Sequence, residues 1–205
     1  MNRLWNRALL LAAISVCYNI LEGLVSVYFG YTDETLSLFG FGLDSFVELI
    51  SGVGVWHMII RVRNNNNQKD SFEKTALRIT GVSFYTLTFG LFVTAIYNIY
   101  SNSKPITTVW GIIISLLSVL TMIFLTRAKL SIGKKLNSNA IIADANCTKT
   151  CVYLSIVLLL SSVLYEIFRI GYIDSIGALG IAYYAFKEGR ESLEKSKGKV
   201  CTCCE

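Results

Sequence analysis

Two pairs of side chains have the types and spacing of metal ligands. Asp44 and Glu48 lie four residues apart in FGLDSFVELISG, so in a helix both carboxylates share one face. Cys147 and Cys151 repeat this spacing in ADANCTKTC. Adjacent carboxylates repel each other unless they share a proton or bind a cation. Thiolates and carboxylates together suit a borderline-soft divalent ion in tetrahedral geometry, such as zinc or cadmium.

Other polar residues accompany each pair. On a helical projection, Asp144 lies within about 80° of both cysteines, whereas Lys149 lies on the far side. Asn19 and Glu22, three residues apart in YNILEG, share a face of another segment. We predict that Asp144, Glu22 and Asn19 are accessory or proton-handling groups. For Glu22 the alternative is a hydrogen bond to a neighbouring helix.

Four further residues have structural interpretations. Asp174 lies near the start of its apolar segment, where a negative charge would cap that helix. Glu166 and Arg169, three residues apart, are expected to form an interfacial ion pair. Cys17 has no polar residue three or four positions later, so we expect it to pack in a helix contact.

The final residues, CTCCE, place Cys201, Cys203 and Cys204 within four positions. In a reducing cytoplasm they stay thiols and have the chemistry to collect a soft metal ion. The spacing lacks the two separated Cys-x2-Cys halves of a structural zinc site. Metal capture or delivery and a tail without function are therefore both open.

The segments that carry these residues are long and apolar. Of the 205 residues, 53% are hydrophobic and only 16% are charged, whereas soluble domains carry about 25% charged residues. Six runs reach the roughly 20 residues that a membrane-spanning helix needs. They are 8–30, 35–60, 75–100, 106–127, 139–165 and 172–188. Because a bilayer leaves no water for the backbone, we predict an all-α, six-helix transmembrane bundle and an integral, multi-pass protein.

Basic residues indicate the orientation of the bundle. Sixteen of the 19 lysines and arginines lie in the N-terminus, the loops after the second and fourth runs, and the tail, whereas Lys104 and Arg169 lie on the opposite side. This asymmetry places both termini in the cytoplasm. The net charge of +5 is thus a topology signal, and it does not indicate nucleic-acid binding, because no folded module for it is visible.

The two ligand pairs are expected to lie at a similar depth in the membrane. Asp44 lies about 14 Å from the outer surface and Cys147 about 12 Å from the cytoplasmic surface, at 1.5 Å per helical residue. In a hydrocarbon core of about 30 Å the pairs meet near the middle. We expect residues 1–190 to form the transport domain and 191–205 a short cytosolic tail.

The six predicted helices, DSFVE in the second and AD-x2-C-x3-C at the start of the fifth resemble the cation diffusion facilitator (cation efflux) family. DSIGALGIA is similar to the sixth helix of that family, and KEGRESL resembles the ending of a small subgroup that lacks the usual cytosolic domain. The resemblance implies a proton-coupled, homodimeric exporter of divalent metal ions. It assigns the transport site to Asp44, Glu48, Cys147 and Cys151, with cysteines in place of the usual His and Asp, and Asp144 as the acid that often precedes them.

The sequence therefore predicts efflux of a zinc- or cadmium-like ion, or a softer one, by metal/proton antiport with alternating access. The metal is the substrate, protons are the counter-ion, no prosthetic group is expected, and the location is the inner membrane of a bacterium. The alternative is a membrane metal sensor or chaperone that uses the same ligands without transport. An enzyme with a cysteine nucleophile is disfavoured, because the only histidine, His57, lies near the cytoplasmic end of the second helix.

Overall fold

The computed structural model describes residues 2–63, 71–101 and 104–197, which form six α-helices. The helices are α1 (Asn2–Thr32), α2 (Leu36–Arg63), α3 (Ser71–Ser101), α4 (Val109–Lys135), α5 (Asn139–Phe168) and α6 (Gly171–Ser196). Within the described ranges no strand occurs. The predictions of an all-α fold and of six helices are confirmed.

Five of the described helices, α1 to α5, are long and apolar enough to cross a membrane. The sixth does not meet that standard, because its second half is rich in charged residues. Its first half is apolar on both sides: Ile176 and Tyr183 are exposed on the outside of the bundle, whereas Ala178, Ile181 and Ala182 are buried. Helix α6 thus presents large apolar residues outward as well as packing apolar residues inward.

The helices continue beyond the apolar runs at the cytoplasmic side. Helix α4 reaches Lys135, although the apolar run predicted its end near residue 127. Lys134 and Lys135 occupy the last turn, where the negative end of the helix dipole favours cations. Lys129, which the sequence analysis counted in a loop, lies inside α4 and is only 3% exposed.

Close packing of α1 on α2 brings their polar faces together. A Cβ atom at Gly42 would come within 2.7 Å of the backbone nitrogen of Val27. Any side chain at Gly42 would therefore push the two helices apart. The absence of a side chain there lets the face with Asn19 and Glu22 approach the face with Asp44.

Apolar layers lie on both sides of the polar middle. The largest cluster joins helices α2 to α6 and lies mostly in the outer half, with Leu38 and Phe41 fully enclosed. A second cluster lies at the cytoplasmic end, where Ile59 and Ile141 pack with small residues of α1 and with Trp56. Of the acids between these layers, Asp44 and Glu22 are buried, at 2% and 6% exposure.

Candidate metal site

Glu48 of α2 and Cys151 of α5 are in direct contact. The Cys151 thiol donates a hydrogen bond to Glu48 Oε1, with 2.7 Å between sulfur and oxygen. Asn19 of α1 donates from Nδ2 to the other carboxylate oxygen, Oε2, over 3.3 Å. Cys151 and Asn19 are 6% and 7% exposed. Three helices thus hold Glu48 between a thiol and an amide inside the bundle.

Asp44, one turn before Glu48 on α2, is more deeply buried and less well partnered. Its side chain is 2% exposed, and its Oδ1 atom has no hydrogen-bond partner. Within the described part of the chain, the charges that act on it are those of three acids, Glu48, Glu188 and Glu22. A buried carboxylate without a compensating charge costs several kcal/mol of folding free energy. Asp44 is therefore suited to take up a proton or a cation.

Glu22 of α1 lies beside this pair in a network of hydroxyl groups. Ser45 donates to Glu22 Oε2 over 3.0 Å, and Ser118 of α4 also hydrogen-bonds this carboxyl group. The hydroxyls of Ser118 and Ser155 are 2.7 Å apart, and Ser155 donates to the backbone oxygen of Cys151 over 2.8 Å. The predicted contact of Glu22 with a neighbouring helix is present, and the same network leads to the cysteine.

Part of the predicted site lies outside the described residues. Asp144 and Cys147 belong to helix α5, but the description does not extend to their side chains, and Cys201, Cys203 and Cys204 lie beyond its last residue. Among the side chains that are described, no three His, Cys, Asp or Glu groups are arranged to hold a metal ion. The four-ligand set therefore stays a prediction. Two of its members, Glu48 and Cys151, are in contact.

Glu188 of α6 was not recognised in the sequence. It is half-buried, hydrogen-bonds Thr150 of α5, and its charge acts on both Asp44 and Glu48. It lies in KEGRESL, a charged stretch that was interpreted as an ending after the last helix. One signal was available: the spacing of 14 residues from Asp174 puts both acids within about 40° on one face of a helix.

Lys129 of α4 was also missed as a neighbour of the site. Its Nζ atom donates a hydrogen bond to Thr148 Oγ1 over 2.9 Å, and its charge acts on Glu48. Nothing in the sequence distinguishes this lysine from the others near the end of α4. Only the packing of α4 against α5 turns it inward.

At the outer end of the bundle, Asp174 of α6 caps helix α2. Its Oδ2 accepts a hydrogen bond from the Leu36 backbone nitrogen over 2.8 Å, and its Oδ1 accepts bonds from the nitrogen and the hydroxyl of Ser37, the former over 3.2 Å. Asp174 lies in the first turn of its own helix and has a structural role, as predicted, but the helix that its carboxylate caps by hydrogen bonds is α2, not α6. The first N–H groups of α2 lack partners within that helix, so a carboxylate from α6 binds them.

Glu166 of α5 performs the same task for helix α4. Its Oε1 accepts hydrogen bonds from the Thr108 nitrogen over 2.7 Å and from the Thr107 hydroxyl over 2.8 Å. Its Oε2 pairs with Arg169, so the predicted ion pair is confirmed. The carboxylate is therefore a helix cap as well as a member of that pair.

Two remaining residues face away from the site. Cys17 is exposed on the surface of the bundle, so the prediction that it packs in a helix contact is wrong. Lys149 is also exposed, as its position opposite the cysteines predicted, and its Nζ lies 6.0 Å from the ring centroid of Tyr153.

Comparison with known proteins places this bundle in a family. The model of the cation efflux transmembrane domain matches residues 12–198. The chain is also similar to a protein of Methanocaldococcus jannaschii named "Uncharacterized transporter MJ0449", with 27% identity over 177 residues. That match covers 82% of this chain and 61% of the relative, so the chain spans about three fifths of the relative's length. The chain belongs to the cation efflux family and is an integral, multi-pass membrane protein.

Proposed function

We propose that this protein exports a divalent transition metal ion, of the zinc or cadmium type or softer, from the cytoplasm in exchange for protons. Membership of the cation efflux family supports transport of a cation out of the cytoplasm. The proposed ligands are Asp44, Glu48, Cys147 and Cys151, with Glu22 and Asn19 beside them. Asp144 is a further candidate for proton handling.

The hydrogen bond between Cys151 and Glu48 carries this proposal. The thiol proton lies between two atoms that would both bind the metal. Because a metal ion takes thiolate and carboxylate ligands, its arrival must displace that proton, and its departure lets a proton return. Exchange of metal for protons therefore follows from the chemistry of the two side chains.

The sulfur ligand favours a soft or borderline ion. Thiolates bind zinc, cadmium and copper(I) better than magnesium, calcium or manganese, which prefer oxygen. A site that combines Cys151 with Asp44 and Glu48 matches a borderline ion that accepts both kinds of ligand. The cysteine on α5 is therefore the residue that we expect to decide metal preference.

The position of the site supports alternating access. Asp44, Cys151 and Asn19 are buried between an outer and a cytoplasmic apolar layer. An ion bound there must reach the site from one side and leave from the other, which requires helices to move around the site. Because the ligands come from α2 and α5, a relative movement of these helices would change the ligand set.

The test is metal uptake by purified protein in proteoliposomes with an imposed proton gradient. We expect cadmium or zinc to move with a simultaneous counterflow of protons, and Asp44→Asn to abolish both flows while the variant still inserts. Metal binding without movement of metal or protons would favour the sensor or chaperone. Metal movement without proton counterflow would refute antiport.

A further inference from the structure

Glu188 lies on the cytoplasmic side of the proposed ligands. Helix α6 begins beside the start of α2, because Asp174 caps Leu36 and Ser37. Glu188 comes 14 residues after Asp174, which is about 21 Å farther along the helix at 1.5 Å per residue. Both acids share one face of α6, so Glu188 is directed toward the same neighbours as Asp174, but deeper, near the cytoplasm.

Rigid packing holds Glu188 in this position. At the next residue, Gly189, a Cβ atom would lie 3.0 Å from Phe84 Cβ and 3.2 Å from the backbone oxygen of Gly81, so α6 lies tightly on α3. On the opposite flank, Thr150 of α5 hydrogen-bonds the Glu188 carboxyl group. The Glu188 side chain thus contacts α5, while the adjacent Gly189 fixes α6 against α3.

The charge of Glu188 extends the line of acids toward the cytoplasm. It acts on Asp44 and on Glu48, and its half-buried side chain retains contact with the exterior of the bundle. Asp44, nearly without exposure, has an unpartnered Oδ1 that offers an incoming cation its next acceptor. Two basic residues, Lys187 and Lys195, also act on Glu188, and Lys195 is paired with Glu191, with 2.7 Å between Nζ and Oε1.

We propose that Glu188 is the cytoplasmic entry residue of the pathway, whose carboxylate attracts a divalent cation and passes it to Asp44 and Glu48. The inference rests on the proposed function for the direction of transport, but attraction of the cation to the site does not depend on transport. A fixed negative charge at a partly buried position raises the local concentration and the association rate of cations.

The test compares Glu188→Gln with a matched control, Glu194→Gln. The glutamine keeps the length of the side chain and an oxygen acceptor for Thr150 while it removes the charge. Glu194 lies on the same helix, its side chain is 41% exposed, and it pairs with Arg190 over 3.1 Å. Stopped-flow measurement of the ultraviolet absorption of cadmium–thiolate bonds reports the association rate at the site when Cys201, Cys203 and Cys204 are changed to serine in every protein compared. We expect Glu188→Gln to lower this rate about tenfold and Glu194→Gln to leave it unchanged.

Transport kinetics then distinguish a role of Glu188 in cation entry from a role in cation binding at the site. In proteoliposomes we expect Glu188→Gln to raise the KM for cadmium about tenfold with the maximal rate nearly unchanged, since the site ligands remain. Equal association rates in wild type and Glu188→Gln, or equal losses in both glutamine variants, would overturn the proposal. If the wild type binds cadmium but does not transport it, the proposed function is wrong. The association rates of cadmium with the wild type and Glu188→Gln would still test whether Glu188 attracts the cation.

A second variant covers a failure of Glu188→Gln to fold. Thr150→Val removes the hydroxyl that holds the carboxylate but leaves its charge. We expect the association rate to fall about threefold and the response of the rate to added salt to persist. An unchanged rate in a folded Thr150→Val protein would contradict the positioning of Glu188 described above.

Discussion

The carboxylates at the outer helix ends and those in the middle of the bundle have opposite surroundings. Asp174 and Glu166 each accept hydrogen bonds from the first residues of another helix, and both oxygens of each carboxylate are bonded. Among the residues that the structure describes, Asp44 has an oxygen without a partner, and the charges of three acids, Glu48, Glu188 and Glu22, act on it. Glu48 is bonded, but one of its donors is a thiol.

This difference separates stabilising acids from acids available to a substrate. A carboxylate that binds backbone N–H groups at a helix start satisfies donors that the helix cannot satisfy, so it contributes to folding. A buried carboxylate without such donors opposes folding unless a proton or cation joins it. Burial alone does not distinguish the two, because Asp174 and Asp44 are equally buried, at 2% exposure.

The largest expected effect is that of Asp44→Asn. The change removes a proposed ligand, so we expect the initial rate of metal uptake to fall by about 100-fold or more, because changing a residue that only hydrogen-bonds a metal ligand already costs about 10- to 100-fold. Thermal unfolding in detergent should occur at the same or a higher temperature, since an uncompensated buried acid is lost. Normal uptake by this variant would remove Asp44 from the site.

The matching change at the outer end, Asp174→Asn, should have the reverse profile. We expect the free energy of unfolding to fall by about 2 kcal/mol, because the amide donates where Leu36 and Ser37 require an acceptor. Metal affinity should stay within about twofold of wild type, because the cap lies far from the ligands. Unfolding in detergent and equilibrium cadmium binding measure the two quantities. A loss of cadmium affinity with an unchanged free energy of unfolding would mean that Asp174 acts in metal binding like Asp44, and not as a stabilising cap.

Cys151→Ser should change metal preference. We expect cadmium affinity to fall about tenfold, or about 1.4 kcal/mol, relative to that for manganese, because a hydroxyl is a harder ligand than a thiolate. Competition between the two metals in uptake assays measures the shift. Cys17→Ser is the matched control, because Cys17 is exposed on the bundle surface. An equal loss for both metals would mean that Cys151 does not select the ion.

The smallest expected effect is that of Arg169→Gln. The arginine pairs with Glu166 but its side chain is 60% exposed. We expect the free energy of unfolding to fall by no more than about 0.5 kcal/mol, as is usual for exposed ion pairs. Glu166 keeps its bonds to Thr107 and Thr108 in this variant. A loss as large as that in Asp174→Asn would show that the pair, rather than the cap, stabilises this end. Unfolding in detergent provides the measurement.

Much of the bundle was predictable because its signals are local. Apolar runs predicted all six helices, although they placed the end of α4 too early, since helical hydrogen bonds continue where hydropathy falls. Estimated depths predicted that the α2 and α5 residues meet, and Glu48 contacts Cys151. Glu188 and Lys129 were not predictable in this way. Near a membrane surface, a charged residue on a helix faces water or the bundle interior according to the neighbours it packs against.

The amino-acid sequence by itself determined the apolar lengths, the orientation signal, the ligand types and their four-residue spacing, all of which depend on residues close together in the chain. The tertiary structure decided which acids obtain partners. Asp174 binds the Leu36 nitrogen 138 positions away, while Asp44 retains an oxygen without a partner. The physical reason is that helix packing brings free N–H groups to one acid and places the second within the influence of three other acids, Glu48, Glu188 and Glu22.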